Sequence, residues 1–199
     1  MSVRAWTRGP RLTLGLGAAL VAMVAVLLAA SGWTEAGLRL VIRATARTSV
    51  VLFLAAFVAS AVRQRWPGPA TSWLLQNRRY VGLAFAISHL LHLLAILALR
   101  DAFPATFAEV PWVTIVVGGL GFVVVAVMAV TSSDAAVRWL GHRRWSRLHR
   151  FCLYYLWAVF TITYVRTSLP MTALLIAALV LRLLRRSHWA AGNGQAGGG

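Results

Sequence analysis

His89 and His92 stand three residues apart inside an uncharged, strongly apolar stretch of the chain, residues 80–99. A spacing of three places both imidazoles on one face of a helix. An ionisable ring surrounded by hydrocarbon is costly, so it either serves a site or satisfies its nitrogens on neighbouring helices. Neutral imidazole is a good iron ligand, and its second nitrogen then needs a partner. The competing reading is a polar pair hydrogen-bonded to Ser or Thr across the bundle. His149 lies in the basic run 143–150 (RRWSRLHR), at the entrance to another apolar stretch. His142 shares that run and His188 sits in a basic tail; both read as solvated. Cys152, one turn after His149, reads as a small packed hydrophobe. Tyr154, Tyr155, Trp157 and Tyr164 either line a planar cofactor or pack between helices.

These residues must be positioned by membrane helices. The 199-residue chain is 60% hydrophobic with a mean hydropathy of +0.75, too apolar for one water-soluble domain. Uncharged apolar stretches cover 12–34, 48–62, 80–99, 110–133, 151–165 and 167–181. Hydrocarbon cannot solvate peptide groups, so such segments cross as helices. The expected fold is all-α: a polytopic bundle of six transmembrane helices with both termini cytoplasmic. Residues 1–11 form a cytoplasmic N-terminus, 12–186 the bundle, and 187–199 a flexible cytoplasmic tail. The stretch 12–34 is also longer than the apolar core of a cleaved signal peptide. Gly118, Gly119 and Gly121 are expected to permit close helix approach.

Charge sets the orientation. All twenty cations are Arg, against four acids, for a formal net charge of +16. With the N-terminus inside, fifteen of the twenty fall on the cytoplasmic side. Only Arg39, Arg43, Arg47, Arg100 and Arg166 fall outside, as the positive-inside rule expects. The same pattern argues against nucleic acid as a partner, because the arginines flank apolar spans instead of forming a solvated stripe. A bilayer of the bacterial inner membrane is the implied surrounding. A single cysteine excludes a disulfide framework, and four scattered acids leave no carboxylate pair for hydrolysis. No glycine-rich dinucleotide fingerprint is present, so flavin or nicotinamide is expected on a separate partner, with quinone as the other candidate source of electrons.

Two stretches carry a family resemblance. Residues 78–93 (RRYVGLAFAISHLLHL) resemble the third helix of ferric-reductase-like transmembrane proteins. Residues 131–150 (TSSDAAVRWLGHRRWSRLHR) look like that family's loop into its fifth helix. The family includes MsrQ/YedZ-like haem-binding membrane proteins, and Ser88-His89 with residues 154–157 (YYLW) is closer to its small ferric-reductase-like members. The resemblance implies b-type haem, with His92 and His149 as iron ligands and His89 beside them. The sulfoxide-reductase subunit carries a further histidine thirteen residues after the position of His149; here that residue is Ile162. The implied function is transfer of electrons from quinol or a separate flavoprotein to an outer-facing acceptor. The chain would be the membrane component of an oxidoreductase, with a soluble flavin reductase or a periplasmic redox protein as partner. The alternative is a haem-free, non-catalytic subunit or transporter on the same scaffold.

Overall fold

The computed structural model describes residues 9–194, with side chains described through residue 184. The described residues form eight helices and no strand: α1 Pro10–Ser31, α2 Glu35–Arg65, α3 Pro69–Ala102, α4 Pro104–Ala108, α5 Trp112–Val130, α6 Asp134–Leu140, α7 His142–Val165 and α8 Leu169–Gly194. The all-α membrane bundle expected from the sequence is what forms.

Four helices, α1, α2, α3 and α5, are long and apolar enough to cross a membrane. Residues 169–184 of α8 are a shorter apolar segment. The apolar half of α7 follows the basic run that begins it. The stretch 48–62, only fifteen uncharged residues, belongs to a helix of 31 residues. At a rise of about 1.5 Å per residue that helix is about 46 Å long, well beyond the roughly 30 Å of hydrocarbon. Arg39, Arg43 and Arg47 recur every fourth residue along its exposed side, so they ride on the helix without ending it. At the other end α8 continues as helix to Gly194, further than the tail boundary expected at 187. Residues 1–8, with Arg4 and Arg8, and the last five residues of the tail lie outside the described chain.

Local chemistry fixes the corners. Gly32 turns the chain at φ 70°, and the Thr34 hydroxyl accepts from the Gly37 amide to cap α2. A Cβ on Gly37 would run into the Gly32 carbonyl and the Ser31 hydroxyl, so α1 and α2 can meet there only through glycine. The buried Asn77 of α3 accepts from the Gly9 amide and donates to the Trp73 carbonyl, which seats the start of α1 on α3. By contrast, a Cβ on Gly118, Gly119 or Gly121 would meet nothing within 4 Å. Those glycines do not mediate the close helix approach expected of them.

The centre of the bundle is α2 against α3, with α1 on one side and α5, α7 and α8 on the other. The core joins Val50, Phe53 and Phe57 of α2, Phe85 of α3, Val125 of α5, Leu156, Phe160 and Tyr164 of α7, and Leu175 and Ala178 of α8. Phe53 sits 5.3 Å from Phe57 and 5.2 Å from Phe160, centroid to centroid. Arg182 reaches across from α8 to donate to the Phe57 carbonyl at 2.7 Å, its guanidinium 4.4 Å from the Phe57 ring. That charge serves as a tie between helices as well as a basic flank.

The charge asymmetry generates a topology test. A reporter active only in the periplasm should give signal when fused at Ala105 in α4 and none when fused at Arg138 in α6. The reverse pattern would invert the bundle.

Candidate functional site

The sequence-predicted histidines fall into two places. His89 and His92 project from α3 with ring centroids 5.7 Å apart. Phe122 of α5 lies against both, at 4.6 Å and 6.0 Å, and Phe160 of α7 meets His89 edge-on at 5.9 Å. His89 is buried, and its Nδ1 has no hydrogen-bond partner. A buried, unsatisfied imidazole nitrogen is uncommon and calls for an explanation.

His92 is held. Its Nδ1 lies 3.1 Å from the Ile42 carbonyl and 3.2 Å from the Thr45 hydroxyl, both on α2. A carbonyl oxygen only accepts, so Nδ1 carries the proton. The Thr45 hydroxyl gives its own proton to the Val41 carbonyl at 2.7 Å, leaving a lone pair toward His92. In the neutral ring Nε2 is then the free acceptor. One turn inward, the Thr48 and Ser49 hydroxyls meet that of Ser88 at 2.9 Å and 3.0 Å. These hydroxyls extend a buried polar seam between α2 and α3.

His149 stands elsewhere, on the wall of a cavity of about 410 Å³ between α2, α3, α5, α6, α7 and α8. Arg78 and Arg79 of α3, Arg150 of α7 and Arg182 of α8 also line it, against a single acid, Asp134. Arg79 pairs with Asp134 at 2.8 Å. The Thr131 hydroxyl donates to the Val127 carbonyl at 2.6 Å, so it accepts from His149 Nε2 at 2.9 Å. Trp145 stacks on the His149 ring at 4.4 Å and donates to the Thr131 carbonyl. Burial first, and the Arg78 guanidinium second, hold His149 below the ordinary imidazole range.

The two places are distinct in depth. Gly82 lines the cavity with His149, and His89 and His92 follow it by seven and ten residues on α3. That is about 10 Å and 15 Å along the helix axis. Two imidazoles holding one iron through metal–nitrogen bonds of about 2 Å would need their ligating nitrogens within about 4 Å of each other. His92 and His149 therefore do not ligate one iron in this arrangement. Phe85 forms the wall between the places, lining the cavity and contacting the His89 ring at 5.4 Å. Among the described residues no group of three or more His, Cys, Asp or Glu could hold a bare metal ion.

Other expected candidates resolve as packing. Cys152 is buried. Tyr155 donates to the Val117 carbonyl and Trp157 to the Leu175 carbonyl, each joining α7 to a neighbour. Tyr154 meets Phe57 edge-on and Tyr164 belongs to the core. His142 is exposed, and the side chain of His188 lies outside the described residues. Ile162 is 68% exposed and points away from the core. Sequence reasoning missed Thr45, Ser88 and Phe122, because their roles come from contacts between helices some forty residues apart. For Ser88, a hydroxyl inside an apolar span was the available signal; Thr45, between Arg43 and Arg47, gave none.

The lowered pKa of His149 carries a pH dependence. The unfolded chain takes up this proton near pH 6.5, while the folded chain resists it, so this stabilising contribution is present above that value and declines as pH falls below it. Thermal unfolding in detergent should show wild-type Tm falling between pH 7 and pH 5 more steeply than that of His149→Gln. Parallel curves would contradict the assignment.

Three curated relatives align with part of the chain, each named "Protein-methionine-sulfoxide reductase heme-binding subunit MsrQ". The protein of Azospira oryzae is 38% identical over 100 residues, 44% of this chain and 42% of the relative. That of Ralstonia nicotianae is 35% identical over 118 residues, 57% of this chain and 52% of the relative. That of Rhodospirillum rubrum is 34% identical over 104 residues, 51% and 49%. The chain spans about half the length of the curated relatives it matches. No family model matches it, and no solved structure does. Together with the apolar helices, these relationships support an MsrQ/YedZ-like family for this multi-pass protein of the bacterial inner membrane.

Proposed function

We propose that the chain is a haem b-binding electron-transfer subunit of the inner membrane. The observation that carries this reading is the set of imidazole nitrogens the protein leaves unused. His92 has its proton committed at Nδ1 and its Nε2 without a partner, and His89 Nδ1 is buried without one. This donor chemistry fits haem iron, for which a neutral imidazole fixed through its other nitrogen is the usual ligand. The basic cavity, on the other side of the Phe85 wall, is a second place that fits such a group. Its four arginines offer charge for the two propionates, its apolar wall of Phe53, Phe85 and Val125 excludes water, and His149 offers the nitrogen not held by Thr131. Bound haem would supply a one-electron iron couple.

Under this reading His92 and His149 are ligands at two depths, with His89 beside His92. The protein's work is to hold these rings, offset the propionate charge and keep the interior dry. Quinol or a separate flavoprotein is the proposed donor on the cytoplasmic side. The relatives are named as reductase subunits, so an outer-facing catalytic partner is the proposed acceptor. Arg138, Arg143, Arg144 and Arg147 give the cytoplasmic face a charge that would steer an acidic soluble donor.

A second reading keeps the scaffold without haem, as a non-catalytic subunit or transporter. Two observations favour it: Phe122 already packs on the histidine pair, and Ile162 stands exposed where the related subunit has a further histidine.

Variants separate the two. If the wild type gives a reducible b-type spectrum, His92→Ala or His149→Ala should abolish or reshape it, while His142→Ala leaves it unchanged. Full retention in both ligand variants would remove the site assignment. For electron supply, NADH or NADPH alone should not reduce the purified protein, whereas quinol or an added flavin reductase should. A reductase-driven rate should also fall with ionic strength. Rapid reduction by nicotinamide in a flavoprotein-free preparation would contradict a separate donor.

A further inference from the structure

We propose that Thr45, acting with the Ile42 carbonyl, is a positioning residue for His92: together they hold the ring with its proton on Nδ1 and present the Nε2 lone pair. This rests on the haem reading for its purpose, though not for its geometry. Three observations carry it. Thr45 is fully buried, so its hydroxyl has no access to water. Its proton is spent on the Val41 carbonyl at 2.7 Å, which leaves it only an acceptor role toward His92. The Ile42 carbonyl, 3.1 Å from the same nitrogen, accepts from the same N–H. Two acceptors converging on Nδ1 disfavour the opposite tautomer, which would set lone pair against lone pair.

The surrounding seam makes the arrangement rigid. Ser88, one residue before His89, is buried and held by Thr48, Ser49 and the Thr45 carbonyl. A rotation of α3 that moved His92 off Thr45 would also break these contacts. No water is available in hydrocarbon to replace them. The Ile42 carbonyl therefore sets which nitrogen His92 offers, and Thr45 holds the ring's direction without touching the group that nitrogen would bind.

The test uses full-length protein in detergent or nanodiscs, with ¹⁵N-labelled histidine and variants Thr45→Val, Thr45→Ser and Thr48→Val. The ¹⁵N shifts of His92, assigned by its loss in His92→Ala, report the tautomer before any haem is added. The expected result is an Nδ1-protonated His92 in wild type, Thr45→Ser and Thr48→Val. In Thr45→Val the Ile42 carbonyl still accepts from Nδ1–H, so the tautomer persists, while loss of the second acceptor shifts the Nδ1 resonance and frees the ring to turn. After haem loading, Thr45→Val should retain haem about 10-fold or more weakly, with a displaced reduced band and midpoint potential, and Thr45→Ser should restore all three. An Nε2-protonated His92 in the wild type, or a Thr45→Val protein matching wild type in its ¹⁵N shifts and haem spectrum, would overturn the proposal. An Nδ1-protonated His92 in a wild type that takes up no haem would sink the haem reading and leave the positioning of the ring standing.

Discussion

The α2–α3 interface sets the geometry on which the remaining structure depends, and its determining contacts are polar. Within hydrocarbon, apolar packing distinguishes poorly between one helix register and the next, because lipid tails solvate Leu and Val as well as a neighbouring helix does. Thr45, Thr48, Ser49, Ser88 and His92 supply what packing cannot. Thr45 and Thr48 give their protons to carbonyls of their own helix, but Ser49, Ser88 and His92 find their partners across the interface. A shift of one turn, about 5.4 Å, would take their partners from Ser49, Ser88 and His92. Such groups cost free energy when buried and unpaired. The seam thus fixes the depth and facing of His89 and His92, and through Phe85 the height of the cavity wall below them.

The cavity depends on a different constraint. Arginines from three helices converge on it, and each is tied down locally or held at its rim. Arg182 is bonded to the Phe57 carbonyl, Arg79 is paired with Asp134, and Arg78 is bonded to Ser60. Self-repulsion among these cations is offset by a single carboxylate, which leaves the space suited to an anionic group. His149 links this region to the helix ends. With Trp145 it grips Thr131 at the end of α5 and so anchors the start of α7. Its position serves the joint as well as the cavity.

Much of this was legible in the sequence, for physical reasons that also explain what was not. The helical class followed from the cost of bare peptide groups in lipid, and the shared face of His89 and His92 from their spacing. Helix ends were harder to read. Arg39, Arg43 and Arg47 looked like a boundary, yet their fourfold spacing lets them lie along one exposed side of a helix that continues past them. The pairing of Thr45 with His92 spans 47 residues and is set by how two helices meet. Nothing local in either segment encodes it. Gly118, Gly119 and Gly121 mark the opposite case, a motif suggestive of close packing at positions where a side chain would meet nothing. Which arginines meet around the cavity was not legible, since neither the convergence of α3, α7 and α8 nor Arg182's reach to α2 is visible along the chain.

The central claim is that these histidines serve a haem. The most direct measurement is the difference spectrum, reduced minus oxidised, of the wild-type protein purified after expression with ample haem supply, together with its haem content per polypeptide. The account predicts a red protein with a reducible b-type spectrum and stoichiometric haem. A well-folded, colourless protein that also fails to take up added haem would contradict it.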